Sequence, residues 1–473
     1  MTIATTPVCL GIDVACRAEH QATLAVGGKT AWKGRKFSTR PAELQRLWAD
    51  LGLADPAELT VVLEPTRNAW IVLAHWFRAR GARVVMVPTT QSADLRAYYS
   101  KHAKNDRLDS EILAKLPLLH PEGLREFTGP GSADPLRRLT KQRSTMVKRR
   151  TAVYSRLDAL VELLGPAWYA VLGSNYGKAA LMVLARYADP HAVIRLGQAR
   201  LTRFLVRHSR GFWREDHARA LILAARETLT LWTGPDGVAG MDFAELAADI
   251  AAEAEQARFL TEQIEDLDER IANLYDQADP DAIIASAPGV GPVVSAIIAG
   301  RLGDPHRFTS LAAVRAYSGL VPKVSQSGTS DPKLALTKAG DPLLREALYL
   351  AADQARRIDP QLGAKYARLM SGDRHHDSAI CHIAANLLTR IATCWRTGKP
   401  YILRDVDGRE VSQAEGRAII KERYKVDQKK RVAAAGRRIQ PRRKQGTDRE
   451  SQRSQSAPTS RPATTTISSP QVA

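Results

Sequence analysis

Short apolar runs and amphipathic stretches alternate over the first 120 residues. "PVCLGIDVAC" is a compact apolar run of the kind that forms a buried strand. "HQATLAVGGKTAWKGRKFST" alternates and turns at Gly27–Gly28, a hairpin pattern. "PAELQRLWADLG" opens with proline and stops at glycine, as a helix does. "LTVVLEPT" reads as a further buried strand, "NAWIVLAHWFRARG" as an amphipathic helix ending at Gly81, and "ARVVMVPT" as a last strand. Helices then follow through "SADLRAYY" and "KNDRLDSEILAKL", where Leu108, Ile112 and Leu116 recur at helical spacing. The predicted order is β-β-β-α-β-α-β-α. A meander followed by α/β units fits a ribonuclease H-like (RuvC-like) fold spanning residues 1–125, with its first strand in the middle of the sheet.

Beyond residue 130 the period becomes helical throughout. "LRRLTKQRSTMVKRRTAVYSRLDALVELLG" runs without Gly or Pro until Gly165. A second long helix is expected over about 242–276. In it Leu246, Ile250, Glu253, Ala257, Leu260, Ile264, Leu267, Ile271 and Leu274 alternate spacings of four and three. That is a coiled-coil repeat with Glu253 as its polar exception, free to pair within the chain or with a second subunit. Residues 130–278 therefore read as a helical coiled-coil region, interrupted at 165–240 by a helical insertion of no assignable role. Residues 280–405 form a further, mainly helical unit. It opens on "IIASAPGVGPVVSAIIAGRLGD", which reads either as a helix-hairpin-helix whose glycine turn is suited to gripping a phosphate or as an ordinary helix-turn-helix corner. From 412 to 473 apolar content falls, and a basic disordered tail is expected.

Charge sharpens this picture. Lys and Arg number 69 against 50 Asp and Glu, a net +19. The segment from residue 412 carries +10 of it, leaving +9 on residues 1–411. The body itself is basic, which points to a polyanionic partner, most often nucleic acid. Cys9, Cys16, Cys381 and Cys394 form no CxxC pair, which excludes a zinc framework and suits reduced thiols in the cytoplasm. No basic region followed by a long apolar run opens the chain, and no apolar segment reaches 18 residues, so neither a signal peptide nor a membrane span is expected.

The acids give the pattern its chemistry. Asp106 and Asp109 share a helix face, which alone is an ordinary solvated arrangement. Asp13 sits inside the apolar run "LGIDVA", where a lone carboxylate is costly without a cation or hydrogen bonds. Glu64 ends the run Val61-Val62-Leu63. Four acids in this order on a ribonuclease H-like pattern suit a Mg²⁺ or Mn²⁺ site, because hard oxygen ligands favour those ions. Such ions clamp the attacking and leaving oxygens of a phosphodiester.

The order Asp13, Glu64, Asp106, Asp109 resembles the DEDD transposases of the IS110 insertion-sequence family, which includes the IS1111 subgroup. The second unit resembles that family's C-terminal transposase domain through "APGVGPVVSAIIAGRLGD", "RFTSLAAVRAYSGLVPKVSQSGTS" and "KAGDPLLREAL". The likeness covers residues 8 to about 125 and 280 to about 400. It implies a recombinase that cleaves and rejoins DNA during transposition, guided by a non-coding bridge RNA that pairs with donor and target DNA. It implies the DEDD metal site, a serine forming a 5′-phosphoserine link to DNA, and active sites shared across a dimer within a larger assembly, such as a tetramer. By the motif that serine is Ser327, with Ser325 and Ser330 close enough to stay open. Lys338 and Arg345 would add positive charge beside the phosphate, or simply line a solvated helix. A nucleoid-associated cytoplasmic protein follows. Two other readings compete: a Holliday-junction-type nuclease using water, against which the second unit argues, and a non-catalytic nucleic-acid binder, against which the four ordered acids argue.

Overall fold

The computed structural model describes residues 7–88, 91, 92, 94, 106–119, 121, 124–127, 129, 131, 133–173, 175–238, 240–323, 336–372 and 374–436. Strands β1 (Val8–Asp13), β2 (His20–Val26) and β3 (Lys29–Phe37) form the expected meander. Helix α1 (Pro41–Asp50), β4 (Leu59–Leu63), α2 (Ala69–Arg78) and β5 (Arg83–Met86) follow, then α3 (Asp106–Leu119) and the two-residue β6 (Arg125–Glu126). The sheet order is β3-β2-β1-β4-β5-β6, so β1 is central as the sequence implied. β1, β4 and β5 are parallel, and β6 adds an antiparallel edge that the sequence pattern does not predict. Most of "SADLRAYY" lies outside the described residues.

Alternation along the strands divides the sheet into two faces. Leu10, Ile12, Leu59, Val61 and Leu63 face Leu44, Leu47, Leu73 and Phe77 of α1 and α2. On the other face Val62, Val85 and Val87 pack on Leu113 and Leu116 of α3.

Helices α4 (Asp134–Val161) and α10 (Phe243–Ala278) run antiparallel: Arg143 pairs with Asp268, Arg150 with Thr261 and Arg156 with Glu253. The α10 seam is occupied within the chain. Glu253 rides beside it, ion-paired with Arg156, while Ala254 takes the buried position. The pair belongs to two cores rather than forming a unit of its own. One end of it, Val153 to Val161 of α4 with Phe243 to Leu260 of α10, enters the insertion, built from α5 (Pro166–Leu172), α6 (Lys178–Tyr187), α7 (Pro190–Leu196), α8 (Gln198–His208) and α9 (Glu215–Trp232). Leu136 and Leu139 at the start of α4, with Leu267, Ile271 and Tyr275 near the end of α10, enter the C-terminal core. That core holds α11 (Pro292–Leu302), α12 (Leu311–Ser318), α13 (Pro342–Ala355), α14 (Pro360–Ser371) and α15 (His376–Thr397). Buried Asp359 is satisfied there by Tyr401, Arg390 and the Leu362 N–H, which offsets its desolvation.

Two expectations change. The first arm of the helix-hairpin-helix pattern is a run of turns at 283–289 rather than a helix, and only α11 follows it. Gly289 has φ +75, and a Cβ there would lie 2.5 Å from the Ala351 carbonyl oxygen. Close packing on α13 therefore accounts for this glycine. The expected tail from 412 also proves partly folded. Ser412 and Glu415 form a reciprocal capping box that starts α16 (Gln413–Arg423). Gly416 lets that helix approach Ile358, and Ile420 packs over Gly363 of α14. The low apolar content hid this helix. A final helix, α17 (Gln428–Gly436), follows. Residues 437–473 lie outside the described residues.

Candidate active site

The register of the sheet places two of the four acids side by side. Ile12 of β1 is paired with Leu63 of β4, so Asp13 and Glu64 are the next residues at the carboxyl ends of adjacent parallel strands. Neighbouring strands lie about 4.8 Å apart. Alternation puts Asp13 on the face of Gly11, and Glu64 on the face of Val62, which is the face covered by α3. Both acids are half-buried, and Glu64 accepts a 2.8 Å hydrogen bond from Ser92 Oγ.

Helix α3 crosses that face in the direction the acids require. Thr23 is the β2 partner of Gly11, and its hydroxyl shares a buried 2.8 Å hydrogen bond with Ser110. Leu118, two turns later, lies against Gly28 beside the start of β1. The helix therefore runs antiparallel to β1, and its first turn, bearing Asp106 and Asp109, points toward the carboxyl ends of β1 and β4. Gly11 makes this seating possible: a Cβ there would stand 2.3 Å from Ala114 N and from the Ser110 carbonyl oxygen. Asp109 is half-buried on this turn, whereas the Asp106 side chain lies outside the described residues. Among the described residues no three His, Cys, Asp or Glu side chains converge on one ion position. The donor set is nevertheless all hard oxygen, which suits Mg²⁺ or Mn²⁺ and excludes a soft-metal role. Glu111, a third acid on α3, turns the other way: Lys115, Lys33 and Thr30 hold it, and the Lys115 hydrogen bond lowers its pKa.

His20 fixes the loop that follows Asp13. Its Nδ1 accepts the Ala15 N–H at 3.1 Å, and its Nε2 meets Thr39 Oγ1 at 2.7 Å. Burial pushes the imidazole below its usual range, so it acts as a neutral clamp. Sequence reasoning missed His20, Thr23 and Ser110. It also passed over Gly11, whose presence inside an apolar strand run signals close backbone approach.

The serine half of the expected site is framed by a clasp. Ser325, Ser327 and Ser330 lie outside the described residues, but the chain on either side of them is brought together. Pro322 bridges Leu336, and Thr337 N–H donates to the Val321 carbonyl at 2.8 Å. Gly319 and Gly340 meet so closely that a Cβ on Gly340 would lie 2.2 Å from Gly319 N. Asp341 caps α13 and pairs with half-buried Arg301 at 3.3 Å. Arg137 of α4 donates to Tyr317 Oη at 2.6 Å and to the Arg301 carbonyl. Arg345 is not a free cation on a solvated face: it donates to the Ser318 carbonyl at 3.0 Å. Lys338 is exposed, with φ +54. The motif glycines and cations thus hold the ends of the serine-bearing segment. All four cysteines are free, and only Cys9 is fully buried.

A six-stranded α/β sheet followed by a mostly helical region is compatible with a ribonuclease H-like DEDD transposase domain. The DEDD transposase profile of the IS110 family, described as "Transposase", matches residues 10–166. A second, described as "Transposase IS116/IS110/IS902 family", matches residues 281–367, and together they cover just over half of the chain. A 43.6 kDa protein of insertion element IS110 from Streptomyces coelicolor is 26% identical over 409 residues, 86% of this chain and 98% of that protein. A 42 kDa protein of insertion element IS900 from Mycobacterium paratuberculosis is 26% identical over 386 residues, 81% and 94% of the two chains. The transposase for insertion sequence IS1328 from Yersinia enterocolitica is 30% identical over 137 residues, 28% and 41%. The chain belongs to the IS110 family of transposases, enzymes that cleave and rejoin DNA. No helix among the described residues is long and apolar enough to cross a membrane.

Proposed function

We propose that this transposase exchanges DNA strands with a divalent-metal site made by Asp13, Glu64, Asp106 and Asp109 and a serine nucleophile, Ser327, guided by a bridge RNA. The observation that carries the reading is the β1–β4 register, which sets Asp13 beside Glu64 on the face crowned by the first turn of α3. A Mg²⁺ or Mn²⁺ ion at this edge would neutralise the phosphate under attack and make a hydroxyl more acidic. Ser327 Oγ attacks the scissile phosphorus. The Oγ–P bond forms as the P–O3′ bond breaks, the serine proton leaves and the 3′ oxygen gains one. The 3′ hydroxyl of the exchanged strand then attacks the phosphoserine, forming a new phosphodiester and releasing serine. The number of phosphodiester bonds is conserved, so no external energy source is needed.

The sheet that carries Asp13 and Glu64 has its own core, and Leu320 and Leu336, which flank the serine-bearing segment, belong to the C-terminal one. A dimer that joins one subunit's acids to another's serine, pairing further into a tetramer on donor and target DNA at the nucleoid, suits that layout. The test is a denaturation-resistant protein–DNA adduct formed with Mg²⁺, DNA and the co-purified RNA. Ser327→Ala eliminates it while DNA and RNA binding persist. An adduct lost only in Ser325→Ala or Ser330→Ala shifts the nucleophile within the loop. Cleavage with no adduct in the wild-type protein overturns the serine step in favour of a water-using nuclease. Sequencing of co-purified RNA that finds no transcript from the element's own end overturns the guide.

A further inference from the structure

The insertion lies between the two family-matched stretches and has a surface of its own. From residue 190 to 214 the chain carries six arginines and no acid. Arg200, Arg203 and Arg207 follow helical spacing along the exposed side of α8, while Leu201 and Leu205 on the opposite side are buried in the insertion core. Among the described residues none of these three is paired with a carboxylate. Arg186 and Arg258 add to the same region. Burial and the guanidiniums of Arg207, Arg258 and Arg186 hold the His208 imidazole below its usual range, so these cations are gathered together.

At the end of this row stands Phe212, 85% exposed. It is not exposed by looseness. Gly211 N–H donates to Val206, Phe212 N–H to Ser209, and Trp213 N–H to Ser209 Oγ at 2.7 Å. The Arg214 guanidinium donates to the Gly211 carbonyl at 2.9 Å, and Trp213 is stacked on His217. The turn is fully hydrogen-bonded and holds one aromatic face out to solvent.

We propose that the Arg200–Arg203–Arg207 row with Phe212 at its end is a docking surface for an unpaired nucleic-acid strand. Arginine rows take successive phosphates, and an exposed ring takes a base by stacking. Arg200 and Arg207 lie about 10 Å apart along the helix axis, within the reach of two or three nucleotides. A duplex has no free π-face to offer Phe212. A membrane surface would need the apolar side of α8, which is already buried. The inference rests on the reading of the chain as a DNA-rearranging enzyme only for the class of partner.

The experiment measures binding of the full chain to labelled oligo-dT, oligo-rU and a duplex, each about 20 nucleotides long, over a salt series. The triple variant Arg200→Ala/Arg203→Ala/Arg207→Ala loses about tenfold or more in single-strand affinity, and its salt slope falls by about 2, at roughly 0.7 per phosphate contact. Phe212→Ala, an independent exposed change, loses about fivefold or more on strands and nothing on duplex. A larger loss on oligo-dT than on oligo-rU marks DNA as the partner, and the reverse marks RNA. Unchanged strand binding in either variant, or an equal loss on duplex for Phe212→Ala, would each overturn the proposal. The binding assay is run without Mg²⁺ and reads no strand exchange, so failure of the catalytic reading leaves this result distinguishable.

Discussion

The two halves of the candidate active site are held by opposite means. In the α/β unit each acid occupies a fixed place in a regular element: Asp13 ends β1, Glu64 follows β4, and Asp106 and Asp109 open α3. Strand alternation and pairing decide where the Asp13 and Glu64 side chains point. In the C-terminal unit, among the described residues, close packing and an ion pair join the flanks of the serine-bearing segment, through Gly319 against Gly340 and Arg301 against Asp341. The first half is preorganised by its own hydrogen-bond ladder. The second rests on a clasp of close glycine packing and one ion pair.

The largest expected effects lie in the acid half. Asp13→Asn preserves shape and removes one anionic ligand; recombination falls on the order of 100- to 1000-fold while nucleic-acid binding persists. Wild-type activity in that variant would take Asp13 out of the site. Gly11→Ala drives a Cβ into backbone atoms of α3 at 2.3 Å. Backbone cannot repack as a side chain can, so a loss of about 3 kcal/mol from the α/β unit is expected, with recombination lost as α3 lifts. Gly340→Ala strikes the clasp in the same way. It should spare melting of the α/β unit and reduce adduct formation more than DNA binding. Equal loss of both in Gly340→Ala would make the clasp a binding element and blur the division.

How far the sequence could be read follows the same division. The strand order was legible because short apolar runs, two of them closed by the single acids Asp13 and Glu64, suit buried strands. The long helices were legible because a repeat of four and three persists from Leu246 to Leu274. The intramolecular partner of α10 was not, since the repeat specifies a seam and not what fills it. The first arm of the presumed hairpin, 283–289, carries apolar residues that suit helix or turn equally, and packing on α13 decided for turns. Helix α16 escaped notice because its docking depends on Gly416 and Ile420 rather than on an apolar stripe. The clasp was hidden for a related reason: two glycines as far apart as Gly319 and Gly340 leave no periodic trace of their meeting.

A smaller, graded effect is expected from pH. His20 is neutral in the fold and accepts the Ala15 N–H through Nδ1, and burial lowers its pKa from 6.5. The unfolded chain therefore binds more protons than the folded one at and below that value. Stability is fully present above about pH 6.5 and is lost as pH falls further. His208, His376 and His382 are shifted the same way, all chiefly by burial, and add to the slope. Thermal melts of the wild type from pH 8 to 5 should show Tm falling below about pH 6.5, and His20→Asn should show a shallower fall. A slope unchanged by His20→Asn would mean that the loop after Asp13 is held without the imidazole.

The smallest effect should come from Glu111, and it separates two kinds of acid on one helix. Asp109 and Glu111 are two positions apart, so they point roughly 200° apart around α3. Glu111 faces β3, where Lys33 at 3.5 Å and Thr30 at 3.3 Å meet it, and Lys115, one turn on along α3, pairs with it at 2.8 Å. Its carboxylate already has partners and lies away from the turn that faces Asp13. Lys33 and Lys115 are themselves partly solvent-accessible, and pairs of that kind contribute about 0–1 kcal/mol. Glu111→Gln keeps the length and the Thr30 acceptor and removes only the charge. Stability should change by less than about 1 kcal/mol. Recombination should stay within about twofold of wild type, against the 100-fold or greater loss expected at Asp106 or Asp109. Equal losses at Glu111 and Asp109 would show that the acids of α3 act through the charge of the whole helix. The direction set by α3 lying antiparallel to β1 would then no longer select Asp106 and Asp109.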